Sequence, residues 1–198
     1  QYEKFGRIER AILQYYGLKN GMSLIDLGCG SGRLASELST CMNIEYLGID
    51  IVQDLLTYAQ SKSDKTYRFV INSELNIPSG DCSADMVSAF SIFTHILHDE
   101  TYLYLEDIKR VLRPGGHLVF SFLEFAEEGH WSVFSSTVAA HRNKIATGLN
   151  QFIERTTINT WCQYLGYERQ AFIDAGDAPW QSEPALGQAI AILRKPVL

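Results

Sequence analysis

DLGCGSG, residues Asp26–Gly32, decides how this chain is read. Glycines at 28, 30 and 32 alternate with Cys29 and Ser31, directly after the apolar SLI of Ser23–Ile25. The pattern predicts a short buried strand over Ser23–Gly28, a glycine turn, and a helix over SGRLASELST opening near Ser31. Glycine permits positive φ and close approach of other groups to the backbone. The first amides of a helix and the positive end of its dipole favour an anion. The turn is therefore expected to cradle a nucleotide-like ligand carrying a negative group.

Working outward, YEKFGRIERAILQYYGL places Ile8, Ile12, Leu13 and Tyr16 at helical spacing. Further strands are predicted over Ile44–Asp50, Tyr67–Asn72, Ala84–Phe93 and His117–Leu123. Helices are predicted over QDLLTYAQSKS and DETYLYLEDIKRVL, the latter with Asp99 as N-cap and RPGG as its stop. TTINTWCQYLG follows as a helix, and YERQAFIDA and LGQAIAILRKP as two late strands. Strands alternating with helices imply an α/β fold with a doubly wound, mainly parallel sheet. With the late pair the sheet has seven strands, ends in an antiparallel C-terminal hairpin and carries helices on both faces. The reading is one domain over residues 1–198, within which 124–152 is polar, partly helical and weakly patterned.

Bulk properties narrow the function. Of 198 residues, 46% are hydrophobic and 20% charged, enough for a substantial core. A formal net charge of -6 disfavours nucleic acid as a partner. No apolar run spans a membrane, and no charged-then-apolar leader is seen, so a cytoplasmic protein is expected. Cys29, Cys41, Cys82 and Cys162 lack CxxC spacing. Mostly buried, reduced thiols are expected, with neither metal nor disulfide.

The dinucleotide fingerprint G-x-G-x-x-G fails here, because Arg33 occupies the third position. The chain instead has G-x-G-x-G with Asp26 two residues ahead. This, with Asp50 ending the second strand, AFSIFTHI after the fourth, RVLRPGGHLVFS (Arg110–Ser121) and the closing LGQAIAILRKP, resembles the Rossmann-like (class I) S-adenosylmethionine-dependent methyltransferases. The resemblance implies S-adenosylmethionine as cofactor. It implies that Gly28, Cys29 and Gly30 approach the methionine part, that Asp26 organises the loop, and that Asp50 holds the ribose. Ile51 is then expected against the adenine face, and Ser91 beside the cofactor. The family's adenine-binding Asp after the third strand has no match. Ser73 or Glu74 stands there.

Within that family the expected reaction is methyl transfer to oxygen or nitrogen of a small-molecule acceptor. A hydroxyl acceptor needs a base. His95, His98 and Asp99 follow the fourth strand, and His95 is the first candidate, with helix capping or packing as its other reading. The resemblance implies that the insert 124–152 covers the substrate, and its FAEEGHWSVF, residues 125–134, mixes aromatic and polar groups as small-molecule pockets do. The alternatives are a non-catalytic cofactor-binding module docking a partner, a protein methyltransferase, and a nicotinamide-dependent oxidoreductase, against which Arg33 weighs.

Overall fold

The computed structural model describes residues 1–197. Seven strands form one sheet: β1 Ser23–Leu27, β2 Glu45–Asp50, β3 Arg68–Ile71, β4 Ala84–Ala89, β5 Leu112–Phe122, β6 Glu168–Ile173 and β7 Ala189–Arg194. Their order is β3-β2-β1-β4-β5-β7-β6. β1 to β5 pair in parallel, and β7 runs antiparallel between β5 and β6. The sheet is thus as expected, including its C-terminal hairpin. The strand order reverses between β1 and β4. That switch point opens a crevice at the carboxyl ends of the strands.

Alternate side chains of the strands feed two cores. Leu24, Tyr46, Met86, Val119 and Ile192 pack with Ile8 and Ile12 of α1 (Tyr2–Tyr15) and Leu34 and Leu38 of α2 (Arg33–Cys41). Ile25, Leu47, Val87, Leu118 and Phe120 pack with Leu105 and Ile108 of α4 (His98–Val111) and Ile158 of α6 (Arg155–Leu165). This period-two division is why the parallel strands read as continuous apolar runs. The remaining helices are α3 (Gln53–Lys62) and α5 (Glu128–Arg142).

Several boundaries differ from the expectations. β4 stops at Ala89, not Phe93, because Ser91 takes φ 60° and turns the chain. RPGG lies inside β5: Ala84 pairs with Leu112 but Met86 with His117, so Arg113–Gly116 bulge from the ladder. Gly115 sits there at φ 83°, and its N–H donates to the Lys195 carbonyl. α4 begins at His98, and Asp99 lies in its first turn instead of capping it. Glu100 accepts the Leu97 N–H at 2.7 Å in that place. Cys29 and Cys162 are buried but Cys41 and Cys82 are exposed, so only half of the thiols are interior.

α2 begins at Arg33, two residues later than the glycine pattern implied, because Gly32 is left-handed at φ 79°. A Cβ there would lie 2.6 Å from Cβ and 2.9 Å from Cα of Ala59 on α3. Gly32→Ala is therefore expected to destabilise the fold by about 1–3 kcal/mol, from left-handed strain plus the helix contact. Denaturant unfolding measures this, and a loss within about 0.5 kcal/mol, the range of an ordinary surface change, would contradict the packing argument.

Asp26 is buried in the centre of the sheet. It accepts the Tyr46 hydroxyl from β2 at 2.6 Å and the Ser88 hydroxyl from β4 at 2.9 Å. Desolvation outweighs these two bonds and raises its pKa from 3.8 to about 6. The fold thus favours the neutral acid, a contribution fully present below the unfolded pKa and lost as pH rises through the folded one. Relative to Asp26→Asn, the native chain is expected to lose about 2 kcal/mol of stability between pH 4 and pH 7. Urea unfolding of both proteins across that range checks it. A pH-independent difference would contradict it.

Candidate active site at the glycine loop

The loop between β1 and α2 is tied down from inside. The N–H groups of Gly28 and Cys29 both donate to the Ile49 carbonyl, at 2.7 and 3.0 Å, and that of Gly32 to the Cys29 carbonyl. The Gly30 N–H donates to Oδ2 of Asp50 at 2.9 Å, while Oδ1 accepts the Val52 N–H at 3.0 Å. Four loop amides are thus used within the chain, and the expected anion cradle has fewer free donors than the glycine pattern implied. Each carboxylate oxygen of Asp50 retains acceptor capacity.

The glycines differ in what they admit. A Cβ on Gly28 would collide with the Ile92 side chain, whereas one on Gly30 would meet nothing closer than the Gly28 carbonyl at 4.0 Å. The β4–α4 loop therefore fills the gap at Gly28, and α3 that at Gly32. Gly30 alone faces open space. A recess of about 300 Å³ lies there, lined by Asp26, Gly28, Cys29, Gly30 and Ser91, together with Glu9, Arg33, Leu55, Phe90 and Ile92. Its volume sits at the lower end of small-molecule sites. A larger recess, about 710 Å³, opens at the amino ends of β1, β2 and β3, between Ser23, Glu45 and Arg68. Its position opposes the rule that open α/β sheets bind ligands at their carboxyl ends.

The sequence-predicted residues fall into three groups. Asp26, Gly28, Cys29, Gly30 and Ser91 line the recess. Ser91 is held there by its N–H, which donates to the Ser121 hydroxyl at 2.7 Å, and by its own hydroxyl, which donates to Gln188 at 3.2 Å. Burial pushes the Cys29 thiol pKa up, so it is a packing group here. Asp50 and Ile51 stand at the rim, and Ile51 is 66% exposed, with its apolar face open. Ser73, Glu74 and His95 are exposed and outside the lining. The backbone of Glu74 is fixed by Asn72 and Tyr104. His95 Nδ1 donates to the Leu149 carbonyl at 2.8 Å, which leaves Nε2 as the ring's acceptor.

That last bond belongs to a seam between the β4–α4 loop and residues 124–152. Gln151 donates its N–H to the Thr94 carbonyl, and His98 Nε2 lies 2.9 Å from the Phe152 carbonyl. Phe125, Trp131, Phe134 and Phe152 cluster above it, with Phe125 and Phe152 stacked at 4.4 Å and 7°. Phe125, Phe134, Thr137, Asn150 and His98 line a second recess of about 330 Å³.

Sequence reasoning missed Glu9 and the inward role of Arg33. The signal was present: Glu9 lies on the α1 stripe Phe5, Ile8, Ile12, Leu13, Tyr16, where a charged residue is out of place. It is 2% exposed. Desolvation raises its pKa from 4.5 to about 7, against the lowering effect of Arg33. Tyr2 closes the N-terminal helix onto the loop by donating to the Ser31 carbonyl at 2.8 Å.

Residues 25–120 match the model of a family described as a methyltransferase domain. O-methyltransferase rstn1 of Aspergillus nomiae is 28% identical over 122 residues, 59% of this chain and 53% of that protein. The 27-O-demethylrifamycin SV methyltransferase of Amycolatopsis mediterranei is 29% identical over 51% of this chain and 38% of its own length. The chain thus spans about half, or less, of the length of these relatives. Among solved structures, a magnesium protoporphyrin IX methyltransferase from Synechocystis with bound S-adenosylhomocysteine superposes with a TM-score of 0.70 at 16% identity. It covers 96% of this chain and 84% of that one. An S-adenosylmethionine-dependent methyltransferase from Methanosarcina mazei gives 0.67 at 18% identity, over 94% and 98%. Residues 25–120, just under half of the chain, are thus similar to a methyltransferase domain, and the chain shares the fold of these solved methyltransferases.

Proposed function

We propose that the protein transfers the methyl group of S-adenosylmethionine to an oxygen or nitrogen of a small-molecule acceptor, with residues 1–198 acting as one methyltransferase domain. The observation that carries this is the pairing of Asp50 with Gly30. A carboxylate with spare acceptor capacity is fixed against the one loop glycine that faces open space. When bound, the cofactor supplies a methyl group already activated on a sulfonium. The residues that fit it are Gly28, Cys29 and Gly30 along the amino-acid part, Asp26 beneath them, Asp50 at the ribose hydroxyls and Ile51 against the adenine. Ser73 or Glu74 takes the adenine amino group, and Ser91 borders the cofactor from β4.

The remaining work of the protein is alignment and exclusion of water, which in favourable systems supplies about 7–11 kcal/mol of barrier reduction. Residues 124–152 are assigned to covering the acceptor. The rings of Phe125 and Phe134 and the polar Thr137 and Asn150 give that segment the mixed lining of a small-molecule site. Oxygen is favoured as acceptor atom because two of the relatives are named for O-methyl chemistry. His95 is the base of this reading: its Nδ1–H is engaged, so Nε2 carries the lone pair that takes a hydroxyl proton.

Asp50→Ala is expected to weaken S-adenosylhomocysteine binding at least about tenfold while the protein stays folded, as read by calorimetry and circular dichroism. Unchanged affinity would overturn the proposed ribose contact. A methyl-transfer assay over hydroxyl- and amine-bearing acceptors tests the reaction, and turnover of neither class would contradict it. His95→Asn keeps a donor at the Nδ1 position for Leu149 and removes the base. A fall in kcat of about 10²–10⁴ for a hydroxyl acceptor is expected. Unaltered kcat would assign His95 to holding the insert alone.

A further inference from the structure

The recess contains more negative charge than the loop motif accounts for. Glu9 enters it from α1, Asp26 from β1 and Arg33 from α2. Oε1 of Glu9 lies 2.5 Å from the Arg33 guanidinium, and among the described residues no other donor reaches that oxygen. Asp26 is already served by Tyr46 and Ser88. Arg33 also lies over the Phe5 ring at 5.3 Å. Two buried carboxylates therefore face one guanidinium, whose side chain stays 34% exposed. Buried carboxylates left short of donors are costly, and an added cation with N–H groups removes that cost.

The geometry points to Glu9 as the residue that receives the α-ammonium group of the cofactor's amino-acid end. This rests on the reading that the recess takes S-adenosylmethionine. The ammonium is the one cationic N–H donor that such a ligand brings to the loop besides its sulfonium centre, which donates no hydrogen bond. Arg33 is then left to hold the carboxylate of the same amino-acid end, so the ion pair between α1 and α2 opens toward a zwitterion of matching pattern. A second role follows for α1. Its Tyr2 bonds the Ser31 carbonyl and its Glu9 pairs with Arg33, so α1 is braced against the site at two points. The charged groups facing Glu9 are Arg33 of α2 and Asp26 of β1, with the Tyr46 hydroxyl of β2 behind Asp26.

The test compares two ligands by calorimetry: S-adenosylhomocysteine and its analogue lacking only the α-amino group. Glu9→Gln is expected to weaken the first about ten- to hundredfold and leave the second unchanged. Equal losses for both ligands would make Glu9 a helix-pinning residue and overturn the proposal, as would no loss for either. Should Glu9→Gln fail to fold, the wild-type protein decides the matter. At pH 6.5, S-adenosylhomocysteine is expected to release more protons than the deamino analogue when titrated in buffers of different ionisation enthalpy, because an ammonium draws a proton off Glu9. Equal release would overturn the assignment. If the wild-type protein binds neither ligand, the cofactor reading itself fails, which is a separate outcome.

Discussion

The Asp50 carboxylate joins the loop after β1 to the turn after β2. One oxygen holds the Gly30 amide of the loop after β1, and the other holds the Val52 amide of the turn after β2. Both turns leave the carboxyl edge of the sheet, that of β1 at the switch point and that of β2 one strand away. A carboxylate accepting backbone N–H groups makes strong, short-range bonds, so it fixes both turns in one geometry. The loop then needs no outside ligand to hold its shape. Its conformation is bought by three positive-φ glycines, two of which are filled by the protein's own Ile92 and Ala59. What remains open is the space at Gly30, beside the acid that braces it.

This arrangement changes how the glycine-rich turn is understood. Alternating glycines after a strand are easily taken as bare backbone waiting for a ligand. Here Gly28 and Gly32 serve close packing of α3 and the β4–α4 loop, and most of the loop amides are satisfied internally. The recess is lined by fewer free groups: Gly30, the buried acids Glu9 and Asp26, and the partly exposed Arg33. Asp50 stands beside it, bonded to Gly30.

The sheet was legible in the sequence because its signals are local and redundant. β1 followed by glycines, β2 ending in Asp50 and the apolar runs of β4 and β5 each carry their own pattern. Boundaries were less legible where backbone geometry outweighs composition. The left-handed Ser91 ends β4 inside an apolar stretch, and the bulge at Arg113–Gly116 hides turn residues within β5. The members of the recess that come from loop and strand were visible for the same reason. Glu9 was not, because its neighbourhood is made by α1 crossing onto α2, a contact between segments more than twenty residues apart. Nor does composition reveal that His95 is bonded to Leu149, since that bond depends on the path of residues 124–152 across the β4–α4 loop.

The recess at Gly30 is the proposed place of cofactor binding. An amide NMR titration with S-adenosylhomocysteine tests this most directly. Saturable shifts confined to Gly30, Ser31, Asp50, Ile51 and the facing turn of α1 are the expected result. Shifts confined to Ser23, Glu45 and Arg68 at the opposite edge of the sheet, or none at saturating ligand, would contradict it.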